Sequence, residues 1–329
     1  MKPASPPPDP PRILSAALWL GPPVARGDAS ITAGVVWLAA LIAALWAGAA
    51  AFGLAVSAVA ALGAWQAASV HSGSEGASPT RASQSGAAVA GGDTRYRLPA
   101  AVLAGAVGIA GVIDTRLAGA VLGAAVAASF IVVSSLGGGR PAGAVARPQQ
   151  VVPPPVLARA GLLVRCWMQV GVAAACAAAV ARYSTGAALV LVSAAACYDA
   201  GAYVTAADRR PGLRGPIAGA VAAVAAVFAL TGVSVPPFAP SDVIRYGVLA
   251  ALTLPLGPAL ARSITTPDSR LPDAPATAHP VSGDPADRGR RPALQRMRSR
   301  LDSPWAVRRL DSLSFTAPAW MWGLGLLVI

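Results

Sequence analysis

Long apolar segments separated by shorter polar ones run through most of the chain. Residues 31–70 carry no charged side chain, and they are long enough for two spans of about 20 residues each, with a turn near Gly48–Gly53. Seven further apolar segments cover residues 98–113, 117–136, 161–181, 185–207, 217–235, 248–260 (beginning near Asp242) and 313–329. The pattern predicts an all-α, polytopic integral membrane protein with about nine transmembrane helices.

Polar segments divide the chain into four regions. Residues 1–29 are Pro-rich and are expected to form a disordered cytoplasmic tail. Residues 30–261 are predicted to be the membrane domain, with about eight spans. Residues 262–309 are rich in Arg, Asp and Pro, which predicts a flexible cytoplasmic loop. Residues 310–329 are predicted to form the final transmembrane helix.

The composition supports a membrane protein. Hydrophobic residues make up 55% of the chain and charged residues only 12%, whereas soluble domains carry about 25% charged residues. The formal net charge is nevertheless +12. Most of the basic residues lie in polar segments between the apolar ones, so we interpret this charge as topological and as attraction to anionic phospholipids, and we predict no nucleic-acid partner.

The positive charges predict an orientation. With the N-terminus in the cytoplasm and strict alternation of nine spans, 23 of the 26 Lys and Arg residues lie on the cytoplasmic side. The three that lie outside are Arg116, Arg182 and Arg245. Such a bias is typical of cytoplasmic loops. The predicted location is the cell (inner or plasma) membrane, with multiple passes.

Asp199 is the acidic residue that lies clearly within a predicted span. A carboxylate at that depth costs at least about 2.5–3.5 kcal/mol, which points to a function. Tyr203 shares its helical face, and in the predicted topology both approach the side where Asp311 opens the last span, beside Arg308 and Arg309. Carboxylates and guanidinium groups suit a divalent cation and phosphates. Alternatively, Asp199 pairs with an Arg to fix packing and Asp311 caps a helix.

Two segments resemble signatures of the phosphatidate cytidylyltransferase (CDP-diacylglycerol synthase) family. Asp199-Ala-Gly-Ala-Tyr203 is similar to the family's D-x-G-A-Y. Arg309-Leu-Asp311-Ser312-Leu313, with Pro318 following, is similar to its D-R-x-D-S-L-x-x-x-x-P. The resemblance implies nucleotidyl transfer from CTP to phosphatidic acid or a related lipid, a step of phospholipid biosynthesis, with Mg²⁺ as cofactor.

The same resemblance implies a role for each matching residue. Asp199, Tyr203 and Asp311 would be catalytic, and Asp311 would also ligate the metal. Arg309 and Ser312 would bind substrate. The expected partners are therefore an anionic phospholipid, CTP and the membrane itself.

Other family motifs are missing. Arg308 stands where the family has the first Asp of D-R-x-D, and Gly257-Pro258-Ala259 stands in place of G-D-L. The lysine loop that follows the first signature is absent, and Lys2 is the sole lysine of the chain. The sequence therefore indicates a divergent relative with impaired or lost catalysis, a pseudoenzyme candidate.

Three alternatives stay open. The chain is either a working nucleotidyltransferase or a non-catalytic membrane protein that retains the fold to bind lipid or a protein partner. A homodimer is compatible with both. A transporter is less favoured, because no internal repeat divides the hydropathy pattern into two similar halves.

Overall fold

The computed structural model describes residues 28–74, 94–137, 156–205, 213–232, 238–239, 242–258 and 310–326. All regular structure in these ranges is helical, with no strand, so the predicted all-α class is confirmed. A short 3-10 turn precedes the third helix. The α-helices are α1 (Asp28–Trp46), α2 (Ala49–Ser74), α3 (Arg97–Ile113), α4 (Thr115–Gly137), α5 (Val156–Tyr183), α6 (Thr185–Thr205), α7 (Arg214–Thr231), α8 (Asp242–Thr253) and α9 (Leu313–Gly323).

Five helices are long and apolar enough to cross a bilayer, as a multi-pass membrane protein requires: α2, α4, α5, α6 and α7. The apolar part of α1 and the whole of α3 are shorter. Helices α8 and α9 have 12 and 11 residues, fewer than the roughly 20 that span a bilayer. The count of nine spans and their orientation therefore stay predictions. The proposed loop 262–309 and nearly all of the proposed tail lie outside the described residues.

The breaks between consecutive helices have local causes. Gly48 has a φ of 115°, a conformation that glycine adopts without a Cβ clash, and it separates α1 from α2 inside the predicted turn. Asp114 separates α3 from α4, and its Oδ1 accepts a hydrogen bond from the Arg116 N–H at 2.6 Å. Ser184 separates α5 from α6, and its hydroxyl accepts one from the Ala187 N–H at 3.2 Å. Both side chains satisfy backbone groups that a helix start leaves open.

Several helix ends differ from the sequence expectation, among them the ends of α8 at Thr253 and of α9 at Gly323, which lie before the predicted residues 260 and 329. Helix α5 begins at Val156 rather than near residue 161. Residues 156–160 contain no Gly or Pro that would break a helix, so the helix includes residues that were predicted to belong to the loop ending at Arg159. Helix α7 ends at Thr231 rather than near residue 235, and Gly232 follows it directly with dihedral angles that are still helical.

Small residues let the helices approach closely. Helix α5 is the most buried long helix and packs against α2, α3, α4 and α9. Helices α6 and α7 form the most extensive pair. Between them a Cβ on Gly219 would lie 2.7 Å from the carbonyl oxygen of Tyr198, and one on Gly201 would lie 3.1 Å from the Gly219 Cα. Such close crossings stabilise helix pairs where lipid replaces water.

Helix α9 packs against α5, α6 and α8. Its second half is held by an aromatic cluster, in which the Trp320 ring lies 4.9 Å from Tyr246 and 6.0 Å from Phe238, centroid to centroid. Trp320 is completely buried. The aromatic cluster fixes one end of α9, and the opposite end carries the residues of the second signature.

Candidate functional site

The end of α6 meets the start of α9. The Ser312 Oγ lies 3.5 Å from the Asp199 Oδ2, at the long end of hydrogen-bond distance. Asp199 lies about two turns before the end of α6, and Ser312 directly precedes α9. The two segments that carry the sequence signatures therefore touch, although 113 residues separate these side chains in the chain.

Asp311 is nearly buried, with 8% of its surface exposed. Its backbone carbonyl accepts a hydrogen bond from the Ser314 N–H at 3.1 Å, and the same carbonyl packs directly against Gly257. A Cβ on Gly257 would overlap the Asp311 carbonyl oxygen and lie 2.6 Å from the carbonyl carbon. The segment after α8 can therefore reach the first turn of α9 only because residue 257 has no side chain.

Three buried hydroxyls at the start of α9, which we call the α9 hydroxyl row, link this helix to its neighbours; one belongs to Ser312, directly before the helix, and two belong to Ser314 and Thr316 within it. Residues two apart on a helix point about 160° away from each other, so successive members of the row lie on opposite sides of the helix. The contacts are Ser312 with Asp199 of α6, Ser314 with the Gln169 amide of α5 at 3.0 Å, and Thr316 with the Thr253 hydroxyl of α8 at 3.1 Å. Polar contacts thus surround the first turns of α9.

The remaining predicted site residues have different outcomes. Tyr203 follows Asp199 by one turn of α6 and, like Asp199, is half-buried. Arg309 lies outside the described residues. The structure thus brings Ser312 and Asp199 into contact, and Asp311 is the chain neighbour of Ser312. The catalytic and binding roles of all these residues stay predictions.

Sequence reasoning missed two residues of this region, Gln169 and Thr253, and it noted Gly257 only as part of the segment that replaces the family's G-D-L. Gln169 is a buried amide within α5, Thr253 closes α8, and Gly257 contacts Asp311. Gln169 could have been found by the argument that singled out Asp199, because a polar side chain inside an apolar span needs a buried partner. Gly257 and Thr253 carry no comparable signal, since Gly and Thr are common in membrane helices.

The oxygen atoms near Asp199 and Asp311 limit how the expected Mg²⁺ could be held. Within the described residues no three or more His, Cys, Asp or Glu side chains cluster as a metal cage would require. The oxygens of this region come from the carboxylates of Asp199 and Asp311 and the hydroxyl of Ser312. Mg²⁺ is usually held by one or two carboxylates together with substrate phosphates and water. Two carboxylates match the number that Mg²⁺ uses together with substrate phosphates, and they are too few for a site built from protein alone.

Comparison of the chain with models of known protein families, with curated proteins and with solved structures finds no match. The fold and the site define a helical protein with membrane-length apolar helices, in which two carboxylates, one half-buried and one buried, lie with buried hydroxyls where α6 and α9 meet.

Proposed function

We propose that this chain is a divergent, phosphatidate cytidylyltransferase-like membrane protein with nine spans and a cytoplasmic N-terminus. Its site would bind CTP with Mg²⁺ and phosphatidic acid or a related anionic lipid, and would join them in the cell membrane. The observation that supports this most directly is the contact between Ser312 and Asp199, because it joins two signatures that lie far apart in sequence.

The proposed reaction is a nucleotidyl transfer. A phosphate oxygen of the lipid attacks the α-phosphorus of CTP, the bond between that phosphorus and the bridging oxygen to the β-phosphate breaks, and pyrophosphate leaves. When bound, Mg²⁺ supplies neutralisation of phosphate charge.

The protein residues would bind and orient the reactants. Asp199 and Asp311 would hold the cation, and the Ser312 hydroxyl would orient the Asp199 carboxylate. Burial of Asp311 and Ser312, which are 8% and 1% exposed, limits the access of water. Arg309 would contact phosphate oxygens and Tyr203 would line the site. Alignment of two bound reactants is itself a large part of such catalysis.

The test is turnover by the purified full-length chain in detergent with CTP, Mg²⁺ and phosphatidic acid. We expect slow release of pyrophosphate together with a CDP-lipid product. Asp311→Asn and Asp199→Asn should each lower the rate at least about 100-fold, because each removes a carboxylate that would hold the cation against the transferred phosphate. Asp114→Asn is the matched control, since Asp114 lies between α3 and α4 and an Asn there keeps the acceptor for the Arg116 N–H.

A second candidate is a non-catalytic protein that keeps this fold to bind anionic lipid or a protein partner. Arg308 and the absence of a lysine loop favour it, as does the engagement of the α9 hydroxyl row with neighbouring helices. Binding of phosphatidic acid without any CTP-dependent product would support this candidate over the first. Absence of both nucleotide and anionic lipid binding would contradict both.

A further inference from the structure

Gln169 is a buried amide in the middle of the apolar helix α5. It is 9% exposed, and its Nε2 donates a hydrogen bond to the Ser314 Oγ at 3.0 Å. The two residues are 145 positions apart in the chain. A buried amide is unfavourable unless its hydrogen bonds are made, so the bond to Ser314 stabilises one particular placement of α5 against α9.

Ser314 connects the Gln169 side chain to the first turn of α9, because it is hydrogen-bonded to both. Its hydroxyl accepts from Gln169 and donates to the Leu310 carbonyl at 3.0 Å, and its backbone N–H donates to the Asp311 carbonyl at 3.1 Å. The segment from Leu310 to Ser314 contains both Asp311 and Ser312. One side chain of α5 is therefore connected, through Ser314, to the segment that carries the second signature.

The contacts of Ser312 and Ser314 lie on opposite sides of α9, and this indicates that the bond between Gln169 and Ser314 controls the rotation of the helix. Ser312 and Ser314 point about 160° apart around α9. Ser312 meets Asp199 of α6 on one side, and Ser314 meets Gln169 of α5 on the other. Contacts on opposite sides of a helix set its rotation about its own axis. A rotated α9 would carry Ser312 and Asp311 away from Asp199.

We propose that Gln169 is a positioning residue of the site, whose hydrogen bond to Ser314 sets the rotation of α9 and thereby holds Ser312 against Asp199. The role of Gln169 in the site rests on the proposed function, because it concerns the same carboxylates. Its effect on the rotation of α9 does not depend on any activity.

The chain offers a closely matched control for this bond. Also in α5, the Trp167 Nε1 donates to the Ser129 Oγ of α4 at 3.0 Å, and that hydroxyl donates to the Ala125 carbonyl four residues back. Both arrangements are buried bonds from α5 to a serine that also bonds its own helix. Only the bond of Gln169 leads to the proposed site, so Ser129→Ala removes an equivalent bond elsewhere.

The experiment measures the distance between α6 and α9 by cross-linking. Asp199→Cys and Ser312→Cys are introduced into the full-length chain after Cys166, Cys176 and Cys197 have been replaced by Ala. A short bis-methanethiosulfonate reagent joins the pair, and peptide mass spectrometry gives the yield. Gln169→Leu should lower the ratio of cross-linked to uncross-linked protein about threefold, the change in equilibrium that one interhelical hydrogen bond gives between membrane helices. Ser129→Ala should leave it unchanged.

A second pair of variants protects the test against misfolding. Ser314→Ala removes the same bond from its other end with a smaller change in shape, and it should lower the yield as Gln169→Leu does. Ser314→Thr keeps a hydroxyl and should restore it. If Gln169→Leu elutes as aggregate in size-exclusion chromatography, the two Ser314 variants decide. Equal yields in the parent, Gln169→Leu and Ser314→Ala would overturn the proposal.

Turnover then separates this proposal from the proposed function. If the parent protein is active, Gln169→Leu should lower kcat about tenfold or more with KM nearly unchanged, because small misplacements of reacting groups slow the chemical step. Ser129→Ala should stay within about twofold, since its bond lies outside the site. A parent without activity whose cross-linking still depends on Gln169 would refute the enzymatic function alone.

Discussion

The approach of Gly257 to the first turn of α9 supports a quantitative prediction for Gly257→Ala. The atoms that the new methyl group would meet belong to the backbone: the Asp311 carbonyl, with its carbon at 2.6 Å, and the Ser312 nitrogen at 3.2 Å. No side chain can rotate to make room. Carbon atoms in contact stand about 3.5–4.0 Å apart, so α9 or the segment after α8 must shift by roughly 1 Å.

Two opposing effects set the size of the change. Overpacking of a tight interior costs typically about 1–3 kcal/mol. Residues 256–258 are helical, and alanine is favoured over glycine in a helix by about 0.5–1 kcal/mol. The net expectation is a loss of about 1–2 kcal/mol in the free energy of unfolding, which corresponds to about a 5- to 30-fold fall in the ratio of folded to unfolded protein.

The assay is equilibrium unfolding by SDS in mixed micelles, followed through the fluorescence of the eight tryptophans. Gly123→Ala is the control, because Gly123 is exposed on α4 and a Cβ there would meet no atom within 4 Å. That variant should be as stable as the parent or slightly more so. A Gly257→Ala protein as stable as the Gly123→Ala protein would refute the close approach, and with it the geometry assigned to Asp311.

Two further predictions test the membrane arrangement. A Cβ on Gly219 would lie 2.7 Å from the Tyr198 carbonyl oxygen. Gly219→Ala should therefore lower the free energy of unfolding by about 1–3 kcal/mol in the same SDS titration. An unchanged free energy of unfolding would contradict the tight crossing of α6 and α7. For the orientation, a phosphatase that is active only outside the cytoplasm should be active when fused after Ile329 and silent when fused after Arg290. Equal activity at both positions would argue against a ninth span between them, and the reversed pattern against a cytoplasmic N-terminus.

Hydropathy and local chemistry predicted much of this fold. The uncharged stretch 31–70 indicated two helices, and the structure breaks it at Gly48, where φ is 115°. Asp114 likewise marked the break between α3 and α4. These features are local: an apolar run of given length, or a residue that favours turns and helix starts, acts on its immediate neighbours. Such signals are readable in a single sequence.

The arrangement around α9 could be predicted only in part. The cost of burying Asp199 and the alternation of spans indicated that the end of α6 and the start of α9 lie on one side, and the contact with Ser312 agrees with that expectation. The bonds of Gln169 with Ser314 and of Thr253 with Thr316 could not be foreseen. They depend on the rotation and depth of helices that are distant in sequence, and hydropathy carries no information about either.

The distance along the chain between Asp199 and Ser312 also has a consequence for biosynthesis. The 113 residues between them take roughly 6–23 s to translate at about 5–20 residues per second. During that interval Asp199 has already been made while the serine it will meet does not yet exist. A ribosome that stalls before residue 312 therefore leaves a chain with most of its helices but without the serine that contacts Asp199.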